Sequence, residues 1–392
     1  MSNIVQNTME IKSFNTKKII DYLRFSIPVT KKEISDSQGL SFATVSNLCN
    51  ELIKEGILCI NSSLNSNGGR IPGLISIMPL AKLTLAINLS QKTEVDIALM
   101  NLKNEVILEE KINIFGLLSA ELIIQEIYKH SSKMLEKLKI QWSSLFGLGV
   151  GVPGIFFKDN RCIINSTNEL YENKPLKDMF EDVFGLPTYI ENESNLLATA
   201  ASLYDPEEFK TKNLIYIFIG EGLGTGIITE GNLVTGNSGL GGEINHIPIG
   251  ENGFQCYCGS NGCIETELTE NGFLRKYYGH EMLSKNHDFD LWENFILKVE
   301  SGDKKATELI KENGKLFGKL ISILINIFDP KIIYLGGSTE RIFDYLYPSM
   351  IEEVMRRSIV NKPHNFSICN SKGYKNLIFQ GCVELSINQW VP

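Results

Sequence analysis

The sequence predicts an α/β protein that begins with a winged helix-turn-helix. Three observations predict it. Residues 10–58 carry apolar side chains at helical spacing between recognisable caps. A Gly/Asn/Ser-rich stretch then separates two short strand-like runs. From about residue 80, strand-like runs ending in glycine turns alternate with helical ones, the pattern of an α/β fold with sites at its strand ends. The 392 residues leave room for two or three domains. The boundary falls between a head at 10–78 and a body at 80–392.

In the head, Ile11, Phe14, Ile19, Ile20 and Leu23 form a first helical stripe. Thr30 followed three residues later by Glu33 is a capping box that opens a second, short helix, which Gly39 ends. Ser41 caps a third helix through Ala43, Val45, Leu48, Leu52 and Ile53 to Gly56. Ile57–Ile60 and Ile71–Ile77 then read as two strands around a polar tip, a wing. The third helix would lie in a major groove. Ser41, Phe42, Thr44, Ser46 and Asn47 are its candidate base readers, because hydroxyls and amides both donate and accept. Lys31 and Lys32 are candidates for phosphate contact, and Arg70 at the wing tip for phosphate or a minor groove. A helical bundle used for dimer contacts is the competing reading. The wing with Gly68-Gly69-Arg70 favours double-stranded DNA.

In the body, Leu83–Leu89, Val95–Met100 and Val106–Ile114 read as strands and 118–138 as a helix. Phe146–Val152, Leu214–Ile219 and Ile332–Leu335 are buried strand runs, and 305–328 is a long helix. A duplicated lobe is compatible with this order, but no repeat is visible in the sequence.

With 43% hydrophobic and 21% charged residues, the composition is that of a soluble globular protein. No run approaches the ~18 apolar residues of a membrane span, and the N-terminus has no apolar signal core. A cytoplasmic location is expected. The net charge of -8 argues against nucleic acid for the chain as a whole. Residues 1–75, however, carry 8 Lys and Arg against 6 Asp and Glu, so the acidity lies in the body.

Of eight cysteines, Cys256, Cys258 and Cys263 are clustered. Cys49, Cys59, Cys162, Cys369 and Cys382 are scattered among apolar neighbours and read as buried free thiols. With His246 upstream, the cluster reads His-x9-Cys-x-Cys-x4-Cys. Three thiolates and one imidazole close a tetrahedral zinc shell and leave no open position for catalysis. One structural Zn2+ per chain is expected.

The segment Gly241–His246 followed by Cys256-Tyr257-Cys258-Gly259-Ser260-Asn261-Gly262-Cys263-Ile264-Glu265 resembles the ROK family of repressors, open reading frames and sugar kinases. Its Cys-x-Cys-Gly-x-x-Gly-Cys-x-Glu pattern is highly specific, and the resemblance runs from about residue 80 onward. Gly149–Gly154, the glycine-rich Gly222–Ile227, and Asn326–Pro330 with Leu335–Gly337 match further family segments. The resemblance implies a two-lobed actin/hexokinase-like (ribonuclease H-like) sugar-kinase fold. Lobe 1 would span about 80–190 with the C-terminal segment, and lobe 2 about 191–380. It also implies a sugar site at Asn168, Asn192, Glu193, Glu243, His246 and Glu265. The added head marks the repressor branch, and the family implies a homodimer or homotetramer.

Two departures from the family kinases point to lost phosphoryl transfer. Asn88-Leu89-Ser90-Gln91-Lys92 stands where the kinases have an Asp and a glycine-rich phosphate turn. Glu193 follows Asn192 where the kinases place a catalytic Asp, and its extra methylene displaces the carboxylate by more than about 1 Å. No catalytic residue is therefore assigned. The expected function is a repressor that binds operator DNA through the head and a small sugar in the body. The alternatives are an active ATP-dependent sugar kinase with an added head and a zinc-stabilised DNA-binding scaffold without a ligand.

Overall fold

The computed structural model describes residues 2–61, 73–157, 161–204, 211–250, 253–256, 258–279, 290–358 and 366–390. The chain divides into two compact units: Met1–Val150 with Lys177–Ile190 and Cys382–Pro392, and Gly151–Leu176 with Glu191–Gly381.

The first unit opens with α1 (Ser2–Arg24), α2 (Lys31–Gln38) and α3 (Phe42–Lys54), followed by the antiparallel pair β1 (Leu58–Asn61) and β2 (Leu74–Ile77). The capping box is formed in both directions: the Glu33 amide donates to Thr30 Oγ1 at 3.2 Å, and the Thr30 amide to Glu33 Oε2 at 2.6 Å. Gly39 ends α2 in the left-handed region at φ 62°, where a side chain would be strained. Ser41 caps α3 by accepting the Thr44 amide at 3.1 Å. Val29 adds a third rung to the wing through paired hydrogen bonds with Ile75.

The apolar stripe of α1 is only half used. Ile19, Ile20 and Leu23 are buried, whereas Ile11 and Phe14 are exposed. The helix also starts eight residues before the expected position. At 23 residues it is about 35 Å long and outruns the 8- and 13-residue helices of the head.

The rest of this unit is a sheet in the order β5-β4-β3-β6-β9. Its strands are β3 (Leu83–Asn88), β4 (Glu94–Asn101), β5 (Val106–Asn113), β6 (Leu145–Val152) and, after an intervening hairpin, β9 (Thr188–Asn192). Helix α4 (Ala120–Leu138), capped by Ser119, lies between β5 and β6, and α5 (Leu176–Phe184) precedes β9. The hairpin β7 (Ile155–Phe157) with β8 (Cys162–Ile164) belongs to the second unit.

The second unit continues with α6 (Glu193–Tyr204), β10 (Leu214–Ile219), β11 (Leu223–Thr229) and β12 (Asn232–Leu233). Helices α7 (Ile264–Leu268), α8 (Glu270–Tyr278), α9 (Asp290–Glu300) and α10 (Lys304–Phe328) follow. The unit closes with β13 (Ile332–Gly337), α11 (Phe343–Arg357), β14 (Ser367–Asn370) and the first half of α12 (Tyr374–Gln389), whose remainder belongs to the first unit. The sheet of the second unit runs β12-β11-β10-β13-β14. Counting strands within each sheet, both have the order third, second, first, fourth, fifth. The lobe is therefore duplicated, although its sequence is not visibly repeated. The second unit has a large apolar core, with Ile215, Ile217, Phe273, Phe295, Phe317 and Leu320 buried in one cluster.

Three scattered cysteines correct the expectation of burial. Cys49 and Cys382 are buried, but Cys59, Cys162 and Cys369 are half-buried. No helix among the described residues is long and apolar enough to cross a membrane.

Candidate functional site

The sulphurs and imidazole of the expected cluster converge. The ligating atoms of His246, Cys256, Cys258 and Cys263 all lie within 4.8 Å of one another. Cys256 Sγ is 3.5 Å from His246 Nδ1, and Cys258 Sγ is 3.6 Å from Cys263 Sγ. A tetrahedral ion with ~2.3 Å metal–sulphur bonds needs edges of about 3.8 Å, so these four residues could hold a metal ion with little rearrangement. Backbone bonds build the loop first. The amides of Ile249 and Gly250 both reach the Gly262 carbonyl, and the Cys256 amide reaches Ser260. Gly262 has φ +69°, and a Cβ there would lie 2.2 Å from the Gly250 carbonyl oxygen, so only glycine fits. Buried Glu267, missed in the sequence, holds the same loop. It accepts the Phe254 amide at 3.1 Å and pairs with Lys276 at 2.8 Å.

Cys263 is also the cap residue of α7, which places Glu265 in that helix's first turn. The Glu265 amide donates to the Asn245 carbonyl at 2.9 Å, tying it to the strand of chain that bears His246. Its carboxylate accepts the Leu223 amide at 3.3 Å. Burial pushes the Glu265 carboxyl up, while the Leu223 and Asn245 donors oppose this. Glu243 is itself exposed, yet enough protein surrounds its carboxyl to push it up to about 7, helped by the charges of Glu265 and Glu191.

The other expected sugar residues approach from the neighbouring loops. Asn192 Nδ2 donates to the Gly154 carbonyl at 2.8 Å, and its Oδ1 caps the Ser194 amide at 2.9 Å. The Ser166–Asn168 loop is tied to Pro153 through the Thr167 amide at 3.2 Å. Gly222 sits where a Cβ would touch both Thr167 and Glu265. Asn168, Asn192 and Glu265 are thus linked through Gly154, Thr167 and Gly222, and Glu243 is electrostatically coupled to Glu265. Glu193 begins α6 directly after Asn192. Buried Asn168 Nδ2 and Asn245 Oδ1 have no hydrogen-bond partner among the described residues. Such orphaned groups are uncommon in folded proteins and suit a polar ligand.

The glycine-rich segment is not a free loop. Gly224 and Gly226 lie in β11 against α6, where a Cβ would come within 2.8 Å of Ser194 Oγ and 2.2 Å of the Ser194 carbonyl. Helix–strand packing accounts for these glycines without a phosphate. Nearby, the Glu270 carboxylate accepts a hydrogen bond from Ser338, just beyond the Gly336-Gly337 end of β13. Asn88 is buried, and its Oδ1 accepts the Ser90 amide and hydroxyl, closing the start of the Asn88–Lys92 turn.

In the head, Ser41, Phe42 and Asn47 are exposed at α3, but Thr44 and Ser46 are half-buried. The Thr44 hydroxyl bonds Ser41 at 2.8 Å, because the cap draws both hydroxyls together. Lys31 reaches Asn50 at 2.7 Å and Ser46 at 3.4 Å, while Lys32 is exposed. Ala43 and Asn50 share the open face with Asn47, a placement that spacings of four and three already signalled. Arg70 lies outside the described residues.

The sequence pattern of the ROK family matches residues 85–384. The chain belongs to the ROK family. Among curated relatives, the xylose repressor of Caldicellulosiruptor bescii is 28% identical over 386 residues, 96% of each chain. A glucokinase of Halalkalibacterium halodurans is 30% identical, but over 52% of this chain and 64% of its own. A solved ROK transcriptional regulator, described as a homolog of the E. coli MLC protein, superposes with a TM-score of 0.78 at 20% identity. It covers 97% of this chain and 100% of its own. At that identity the likeness establishes the fold, and it includes the head.

Proposed function

We propose that this ROK protein is a sugar-responsive transcriptional repressor. The observation that carries the reading is the extent of the likeness. The match to the xylose repressor leaves too few residues unmatched to omit the head, whereas the glucokinase match covers about half the chain. The head (10–78) binds operator DNA through Ser41, Phe42, Thr44, Ser46 and Asn47, with Lys31, Lys32 and Arg70 toward phosphates. The body (80–392) binds the sugar through Asn168, Asn192, Glu193, Glu243, His246 and Glu265. A zinc ion on His246, Cys256, Cys258 and Cys263 would supply structural cross-linking and nothing catalytic. The protein acts in the cytoplasm as a homodimer or homotetramer. Kinase activity is lost. The self-bonded Asn88–Lys92 turn and the Glu270 carboxylate at the β13 end support this, since both disfavour a polyphosphate.

The Glu243 carboxyl gives the site a pH signature. Its folded value is raised from 4.5 to about 7, so the fold loses stability as pH rises through that window and gains it back on acidification. A sugar hydroxyl needs the ionised acceptor. Sugar affinity should therefore rise between about pH 6 and 8, and Glu243→Gln should flatten the profile in a calorimetric titration. A wild-type profile already flat across that range would remove Glu243 from the site.

The test of the function is reciprocal titration. D-xylose, D-glucose and N-acetylglucosamine are titrated with and without a duplex that the protein itself has selected from a random pool. One sugar should change duplex affinity by about 5- to 150-fold, and the duplex should change that sugar's affinity by the same factor. Equal binding of every sugar in both conditions, or steady ADP release from ATP with any of them, overturns the reading.

A further inference from the structure

The DNA-reading head is bolted to the last helix of the chain by a buried ion pair. Arg24 is the final residue of α1, and its side chain and that of Glu384 on α12 are only 2% and 4% exposed. Arg24 NH1 donates to Glu384 Oε2 at 3.1 Å, and NH2 donates to Oε1, a fork on a fork. Arg24 Nε donates to the Leu102 carbonyl at 2.6 Å, and Asn104 Nδ2 donates to Glu384 Oε1 at 3.1 Å. Two helical turns earlier, Lys17 Nζ reaches the Ile387 carbonyl at 3.0 Å and Asn388 Oδ1 at 3.2 Å. Lys17 and Arg24 lie on one face of α1, and both are held by the last two turns of α12.

A buried ion pair adds little stability over apolar packing of the same volume. What a bidentate guanidinium–carboxylate pair supplies is a fixed mutual orientation. The helix it grips runs across the division between the compact units: it is part of the second up to Gly381 and of the first from Cys382. Backbone approaches hold α12 at the crossing. A Cβ on Gly381 would lie 2.4 Å from the Leu196 carbonyl, and one on Gly149 of β6 would lie 2.3 Å from the Cys382 carbonyl. With contacts that close at adjacent residues, α12 cannot slide independently of the elements it packs on, so it moves with them.

We propose that Arg24 and Glu384 are positioning residues for the switch. They pass a movement of α12, driven from the sugar-binding unit, to α1 and so to the orientation of α3. The inference rests on the repressor reading above. It assigns the pair to coupling rather than to either binding event, since neither residue is placed in the sugar site or on the open face of α3.

The experiment compares the wild type, Arg24→Met/Glu384→Leu and the milder Arg24→Lys. Duplex affinity is measured by anisotropy with the self-selected duplex, with and without D-xylose, D-glucose or N-acetylglucosamine. Sugar affinity is measured separately by calorimetry. In the wild type one sugar should change duplex affinity at least about fivefold. In the double variant that factor should fall below about twofold, while sugar affinity and sugar-free duplex affinity stay within about threefold of wild type. Arg24→Lys, which keeps the charge but loses the fork, should give an intermediate factor. A double variant or Arg24→Lys protein that folds, binds both ligands and keeps the full wild-type factor overturns the latch and leaves the repressor reading standing. A wild type indifferent to all three sugars overturns both.

Discussion

Cys258→Ser should strip the metal and cost the protein several kcal/mol of stability. The site makes this a clean measurement. Cys258 is exposed, while Cys256 and Cys263 are buried, so serine at 258 removes no core packing. A drop in stability would then report the ion itself. Structural zinc in small peptides carries about 10–16 kcal/mol of apparent binding free energy. Here much of the loop is already held by backbone bonds and by Glu267, so only part of that is at stake. A loss of about 4 kcal/mol would lower the melting temperature by roughly 10 °C in a domain of this size. Metal analysis should find about one zinc per wild-type chain and little in the variant, and a strong chelator should bring the wild type to the variant's melting temperature. A Cys258→Ser protein with full zinc and unchanged melting would remove the metal from the account.

Glu384→Ala should be nearly as damaging for a different reason. It leaves the buried Arg24 guanidinium without its bidentate partner, facing the Leu102 carbonyl and, at 3.7 Å, the half-exposed Asp21 carboxylate. Breaking a buried pair from one side costs about 3–5 kcal/mol, whereas replacing both members with apolar groups is often close to neutral. The urea midpoint should therefore fall sharply for Glu384→Ala and recover in Arg24→Met/Glu384→Leu. If the single substitution were as mild as the double, the pair would carry neither charge burial nor orientation.

These two sites also mark what could be read in the sequence. The metal ligands, the Thr30–Glu33 capping box and the Ser41 cap were legible because each depends on residues within a turn or a loop of one another. Glu243 and Glu265 were legible as neighbours of those ligands. Arg24 and Glu384 were not, since they are 360 positions apart and neither has a local signature. The lobe duplication was hidden because the second lobe has the long segment from Val234 to Lys331 where the first has essentially one helix, α4. The role of Gly224 and Gly226 could not be read from the sequence, because a glycine that admits a phosphate and one that admits a helix look alike there. Ile11 and Phe14 kept the helical period beyond the point where α1 has anything to pack on.

The grip of the last helix on the first has a consequence for how the protein is made. A ribosome adding about 5–20 residues per second finishes α3 long before it reaches Glu384. The Arg24 partner lies 360 residues downstream, a delay of roughly 20–70 s. During that interval the nascent head can fold on its own core and meet Leu102, but the α12 partners of Lys17 and Arg24 do not yet exist. Its first helix acquires its α12 partners only once residues 384–388 have been made. An unfinished or C-terminally clipped chain would then carry a head that is folded and unsupervised, able to meet DNA without answering to any effector.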